Sequence, residues 1–292
     1  MNTQTHINDD GLMDVICPLC QNVLLQADKL WRCENNHCFD TAKQGYTNLL
    51  PVQNKKSLAP GDGVDMVTAR TRFLNAGYYQ AVSDAINKTI VDHLQQRAND
   101  HASIIDAGCG EGYYTSRLAQ ALDENSIGRD VIGIDISKFA VAASAKRDKS
   151  IRWFVANSAS IPVADQCADV LLSLFAPITN NEFFRCLKPG ALVLTASTGE
   201  HHLIELRKHL YDDINYKTFD PGKALGENFS QLSQQTVQQT IQLPDTNTIK
   251  DLLSMTPHFW RVSPERKKVL NTLERLTVTI DIQLHGFVSQ DV

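Results

Sequence analysis

The chain of 292 residues has no long apolar run. The longest, 168–178, is broken by Asp169, Ser173 and Pro177, far short of the ~18 residues a membrane-crossing helix needs. The first 15 residues lack the basic start and apolar stretch of a secretory signal, carrying Asp9, Asp10 and Asp14 instead. The expected location is therefore cytoplasmic, with no membrane partner. Positive charge is scarce as well: 28 Lys and Arg stand against 33 Asp and Glu, a net charge of -5. Such a chain cannot coat itself in positive potential, so any nucleic-acid site has to be a local basic patch. A disulfide framework is also missing, because seven cysteines make an odd count and no export signal accompanies them. The 42% hydrophobic and 21% charged residues exclude a disordered, collagenous or coiled-coil chain.

The cysteines that are present are unevenly placed. Cys17, Cys20, Cys33 and Cys38 crowd into 22 residues, while Cys109, Cys167 and Cys186 are scattered. With His37 the cluster reads C-x2-C-x12-C-x3-H. Two close pairs separated by a loop can converge on one tetrahedral Zn²⁺. Cys17, Cys20 and Cys33 supply three ligands, and on chemistry alone the fourth is either His37 or its neighbour Cys38. No base or open position accompanies them, so a closed structural site is expected.

This small loop-rich module occupies residues 1–50, and residues 51–292 hold a linker and a larger domain. The linker, 51–63, contains two prolines, two glycines and two lysines. Helical patterns follow from about Asp65 to Leu94, broken near 75–77. From Ser103 the chain alternates strands and helices, which means βαβ units and a parallel sheet. Near the end Val278, Ile280, Ile282 and Leu284 alternate with Thr279, Asp281 and Gln283, a strand with one wet face. The polar alternating run 231–243 is expected to pair with it as an antiparallel edge.

Asp106-Ala-Gly108-Cys-Gly110-Glu111-Gly112 follows a strand and opens a helix. Its Gly-x-Gly-x-Gly spacing differs from the Gly-x-Gly-x-x-Gly of dinucleotide sites. An acid just before the glycines crowds a pyrophosphate but suits a cationic ligand. Asp135 ends the next strand, where a carboxylate can accept both hydroxyls of a ribose. The combination fits an adenosyl ligand with a positive amino group. It resembles the class I S-adenosylmethionine-dependent methyltransferases, which implies an α/β, Rossmann-like sheet of seven strands, the last one antiparallel, preceded here by the zinc-binding module.

A narrower resemblance spans nearly the whole chain. CPLC at 17–20, CENNHCFD at 33–40, GYTNLLPVQ at 45–53, PGD at 60–62, FLNAGYYQ at 73–80, DAGCGEGYYT at 106–115 and MTPHFW at 255–260 are similar to the bacterial 23S ribosomal RNA guanine-N1 methyltransferases. The resemblance implies that His37 is the fourth zinc ligand. It implies S-adenosylmethionine contacts at Tyr79, Gly110, Glu111 and His202, beside Asp106, Gly108, Gly112 and Asp135 of the loop reading. It also suggests a homodimer and, as partner, a hairpin of 23S rRNA.

Guanine N1 carries a proton and lies on the Watson–Crick edge, so the target must be unpaired or flipped out. Phe175, just after a strand, is a candidate to stack on it, though a core aromatic reads the same way. The stretch from Lys43 to Arg72 holds five basic residues and two acids, and Lys55 and Lys56 are the candidate RNA contacts. No general base can be named from sequence. Competing readings are a methyltransferase of another RNA or of a small molecule, and a non-catalytic zinc-bearing binding protein.

Overall fold

A computed structural model describes residues 11–54, 57, 60–270 and 272–290. Four short strands lie in the N-terminal module: β1 (Leu25–Ala27), β2 (Leu30–Arg32), β3 (Cys38–Asp40) and β4 (Tyr46–Asn48). Helices α1 (Val64–Asn75) and α2 (Gln80–Gln96) follow. The βαβ region runs β5 (His101–Ala107), α3 (Tyr113–Glu124), β6 (Gly128–Asp135), α4 (Lys138–Arg147), β7 (Arg152–Val155), β8 (Ala168–Leu174), α5 (Asn180–Cys186) and β9 (Leu187–Thr198). The C-terminal part contains α6 (Ile204–Leu210), α7 (Pro221–Leu225), β10 (Phe229–Leu243), α8 (Thr246–Ser254), α9 (His258–Arg261), α10 (Pro264–Leu270) and β11 (Leu276–Ser289). Among the described residues no helix is long and apolar enough to cross a membrane.

The main sheet has the order β10-β11-β9-β8-β5-β6-β7-β4. Strands from β4 to β9 pair in parallel. β11 is antiparallel to both β9 and β10, so it alone runs against the rest. The seven strands β5 to β11 thus match the sequence expectation, and an eighth, β4, is added at the open edge of β7. The addition has a physical cause: an uncovered edge strand leaves a row of unpaired backbone groups, and β4 satisfies them. The strand order reverses between β5 and β8, the crevice where open α/β sheets bind ligands.

Strand alternation divides the core between the two sheet faces. On one face Ile104, Val131 and Leu172 pack with Phe73 of α1, Ile86 of α2, Leu118 of α3 and others. On the other, Ile105, Ile134 and Leu171 pack with Met13, Val15, Leu24 and Trp31 of the N-terminal module and with Phe183 of α5. Trp31 meets Phe154 of β7 edge-on, ring centroids 5.5 Å apart. Met13 donates its backbone N–H to Asp130 at 2.7 Å and accepts from Arg152 at 3.0 Å. The module therefore occupies one face of the sheet and shares its core.

Candidate active site and zinc cluster

Two tight turns bring the cysteine pairs together. In the first, Cys17 donates to Asn22 O at 2.8 Å and Gln21 donates to Cys17 O, with Gln21 at φ 64. In the second, Cys33 donates to His37 O and Asn36 donates to Cys33 O, with Asn36 at φ 60. Asn tolerates this left-handed conformation better than most residues. The four donor atoms of Cys17, Cys20, Cys33 and His37 all lie within 4.8 Å of one another. His37 Nδ1 is 3.4 Å from Cys17 Sγ and 3.5 Å from Cys33 Sγ, and the Sγ atoms of Cys20 and Cys33 are 3.7 Å apart. Tetrahedral zinc with ordinary bond lengths requires about 3.5 Å between N and S and about 3.8 Å between two S. The donor set fits zinc. Cys38 stands outside it: its thiol is exposed and donates to Asn36 O at 3.4 Å.

The glycine loop leaves β5 at the strand-order reversal. Gly108 has φ 99, and a Cβ there would come within 2.5 Å of Ala176; only glycine lets this loop pack against the segment after β8. Gly112, at φ 79 and the start of α3, would meet Ser144 and Trp153 at 3.0 Å. Gly110 donates its N–H to Asp135 Oδ2 at 3.0 Å, and Ser137 donates to Asp135 Oδ1 at 2.7 Å. Each carboxylate oxygen of Asp135 keeps a further lone pair for a ligand hydroxyl.

Asp106 is buried at the end of β5. Its Oδ2 accepts from Thr115 Oγ1 at 2.6 Å, while Oδ1 has no hydrogen-bond partner among the described residues. Burial pushes its carboxyl up to about 7, with Asp135 and Glu111 adding repulsion. Glu111 turns inward: Oε2 accepts from the Tyr113 N–H at 3.0 Å and Oε1 lies 3.5 Å from Arg147. Burial raises its carboxyl too, against the pull of Arg147.

Tyr79 and His202 form a buried pair, Oη to Nε2 3.2 Å. His202 Nδ1 accepts the Asp281 backbone N–H at 3.2 Å, so its proton resides on Nε2 and is donated to Tyr79. Burial drives His202 down to about 3, which keeps it neutral and makes it a poor base at neutral pH. The adjacent His201 is exposed and belongs to a different contact, 3.9 Å from Asp281 Oδ2.

Phe175 is not a core aromatic. It is 45% exposed, has φ 57, and its ring lies 6.1 Å from that of Tyr114. A non-glycine residue in this conformation at the carboxyl end of β8 is the kind of local strain that accumulates at functional sites.

Two residues gain importance that spacing alone did not give them. Tyr114, at the start of α3, is the ring that Phe175 meets. Arg70 of α1 reaches the glycine loop, its Nη1 lying 3.6 Å from where a Gly110 Cβ would be. It pairs with Asp62 at 2.6 Å, and Ser137 Oγ donates to Asp62 O at 2.6 Å, so 61–62 straps the end of β6. Arg72 is likewise held, its Nε 2.8 Å from Asp251 of α8. Two of the five cations counted between Lys43 and Arg72 are thus neutralised within the fold. Lys55 and Lys56 lie outside the described residues.

Comparison with known proteins gives two family matches: "RlmA, N-terminal" over residues 15–58 and "Methyltransferase domain" over 98–255. Proteins from Bacillus subtilis (strain 168) and Micromonospora griseorubida, both carrying the name "Putative 23S rRNA (guanine-N(1)-)-methyltransferase", are 30% and 31% identical to this chain. The alignments cover 92% and 95% of this chain and 94% and 98% of theirs. The chain belongs to the 23S rRNA (guanine-N1)-methyltransferase family. A further member, the 23S rRNA (guanine(748)-N(1))-methyltransferase of Streptomyces fradiae, is 29% identical over 85% of this chain and 86% of its own length. Membership makes the protein an S-adenosylmethionine-dependent methyltransferase, with a zinc ribbon fused ahead of the catalytic sheet.

Proposed function

We propose that the protein transfers a methyl group from S-adenosylmethionine to N1 of a guanine in a 23S rRNA hairpin. Phe175 carries this reading: an exposed aromatic ring, strained into place beside the glycine loop, offers a stacking platform for a base taken out of its helix. The names of the relatives support the choice of RNA and atom. The buried Asp106 oxygen without a partner fits the cofactor's ammonium group. Asp135, at the end of β6, fits the ribose hydroxyls. Glycines 108, 110 and 112 admit the ligand close to the backbone, with Glu111 bracing the loop through Arg147. Tyr79 accepts from His202 and keeps its own proton to donate toward the cofactor. One zinc on Cys17, Cys20, Cys33 and His37 would fix the ribbon for RNA recognition, aided by Lys55 and Lys56.

The bound cofactor supplies an already activated methyl on a sulfonium. What remains for the chain is alignment: a base held on Phe175, in line with the methyl and screened from water. Digesting reacted rRNA to nucleosides should yield 1-methylguanosine. Methyl on N2, N7 or a ribose would refute the assignment.

Arg70 answers a charge problem in this site. Asp62, Asp106, Glu111 and Asp135 all lie around the loop, yet the cofactor also carries a carboxylate. The guanidinium over Gly110, with donors left beyond the Asp62 pair, is the group placed to receive it. Arg70→Ala should weaken S-adenosylhomocysteine binding about tenfold, the loss of one charge-assisted hydrogen bond. 5′-Methylthioadenosine, which lacks the amino acid moiety, should bind both proteins equally by calorimetry. Equal losses for the two ligands would mean that Arg70 only supports the loop.

A further inference from the structure

The turn 255–257 lies against Arg70, the cation beside the glycine loop, and leads into helix α9. Arg70 Nη2 reaches Met255 O at 3.5 Å, and Arg72 and Asp251 tie α1 to α8. Next in the chain, His258 Nδ1 meets Tyr211 Oη at 2.9 Å. The segment is thus anchored on the cofactor side. Its far end is left bare: Trp260 is 73% exposed, whereas Trp31 and Trp153 are 6% and 2% exposed. Trp260 stands edge-on to Phe259, ring centroids 5.1 Å apart, and Lys267 Nζ lies 4.0 Å from the centre of the Phe259 ring. The aromatic pair is therefore held in a fixed orientation with a cation against it.

The charge around this pair is opposite to that of the chain. Residues 258–268 contain Arg261, Arg266, Lys267 and Lys268 against Glu265, an excess of three on a protein of net charge -5. Arg266 is paired with Asp212. Arg261, Lys267 and Lys268 form no ion pair among the described residues. An exposed indole flanked by uncompensated cations matches what unpaired nucleic acid requires: a face for a base and charges for its phosphates. An uncharged apolar partner would leave those cations unanswered.

We infer that Trp260, with Arg261, Lys267 and Lys268, is a second RNA-stacking platform, which holds an unpaired nucleotide flanking the target while Phe175 holds the target itself. This rests on the reading of the substrate as an rRNA hairpin. It also gives the negatively charged chain a basic patch on the catalytic domain, apart from the zinc ribbon and linker.

Because Trp31 and Trp153 are buried, the part of the intrinsic fluorescence that bound RNA quenches by contact should come from Trp260. Titrating the protein with a transcript of the 23S rRNA segment around guanine 748 (the nucleotide in the name of the Streptomyces relative) should quench it. Trp260→Ala should raise the RNA dissociation constant about tenfold, the effect of one lost stacked base. Affinity for S-adenosylhomocysteine and the melting temperature should not move, since an exposed side chain is removed. Lys267→Ala with Lys268→Ala should flatten the salt dependence by up to about two phosphates. A wild-type protein that binds no RNA would overturn the substrate reading and this inference together. Wild-type binding that Trp260→Ala leaves unchanged would overturn this inference alone. So would a variant that loses only self-association in sedimentation, which would make the surface a contact between copies.

Discussion

The Cys17→Ser protein should lose its zinc on purification and melt well below the parent. Cys17 is fully buried, and its module packs against Ile105, Ile134 and Phe154 of the catalytic sheet. Loss of the metal therefore loosens more than a surface knuckle. Structural zinc contributes ~10–16 kcal/mol to small zinc peptides. Here the shared core retains part of the fold, so a loss of about 4 kcal/mol is the expected scale, or about 6–7 °C in a chain this long. Metal analysis should give about one zinc per chain in the parent, from a single four-ligand site, and much less in the variant. Cys38→Ala should keep its zinc, because that thiol faces away to Asn36 O. S-adenosylhomocysteine should still bind the Cys17 variant, since the loop's contacts run to β6, α4 and α1. Full zinc in Cys17→Ser, or loss of it in Cys38→Ala, would mean the ligand set is wrong.

Asp135→Ala should weaken S-adenosylhomocysteine binding by about 10- to 100-fold, the range for losing a charged acceptor of two hydroxyls. The carboxylate also tethers the Gly110 N–H at 3.0 Å and the Ser137 N–H at 2.7 Å, so part of the loss would come from a looser loop. Asp135→Asn separates the two effects. It keeps an acceptor but no charge, and should fall between the parent and the alanine variant. Calorimetry at constant pH measures all three. An unchanged constant in Asp135→Ala would place the ribose elsewhere.

Much of the catalytic sheet was legible because its signals are local. Strand β8 falls at 168–174 as its apolar run suggests, α3 starts at Tyr113 directly after the glycines, and the alternation of 278–284 places four apolar side chains in the core. The C-x2-C and C-x3-H spacing was equally readable, because a metal site closed by two short turns is written in consecutive residues. What escaped depends on distant contacts. Strand β4 is three residues long and is defined only by the edge of β7 that it covers. Arg70 looked like one more cation in a basic stretch, and only the path of 61–62 over Ser137 brings it to the glycine loop. Tyr79 and His202 are 123 positions apart, and their pairing with the Asp281 backbone requires β11 to lie beside β9. Trp260 entered only as the last residue of the MTPHFW motif, and its exposure is visible only once α8 and α10 have taken the buried positions.

Primer extension on 23S rRNA tests the central claim most directly. Methyl at guanine N1 replaces the proton used in Watson–Crick pairing, so reverse transcriptase halts there. Unmodified rRNA incubated with the protein and limiting S-adenosylmethionine should show one new stop at a hairpin guanine, absent without cofactor and much weaker with Asp135→Ala. Methyl incorporation that leaves every guanine of the RNA readable would contradict the account.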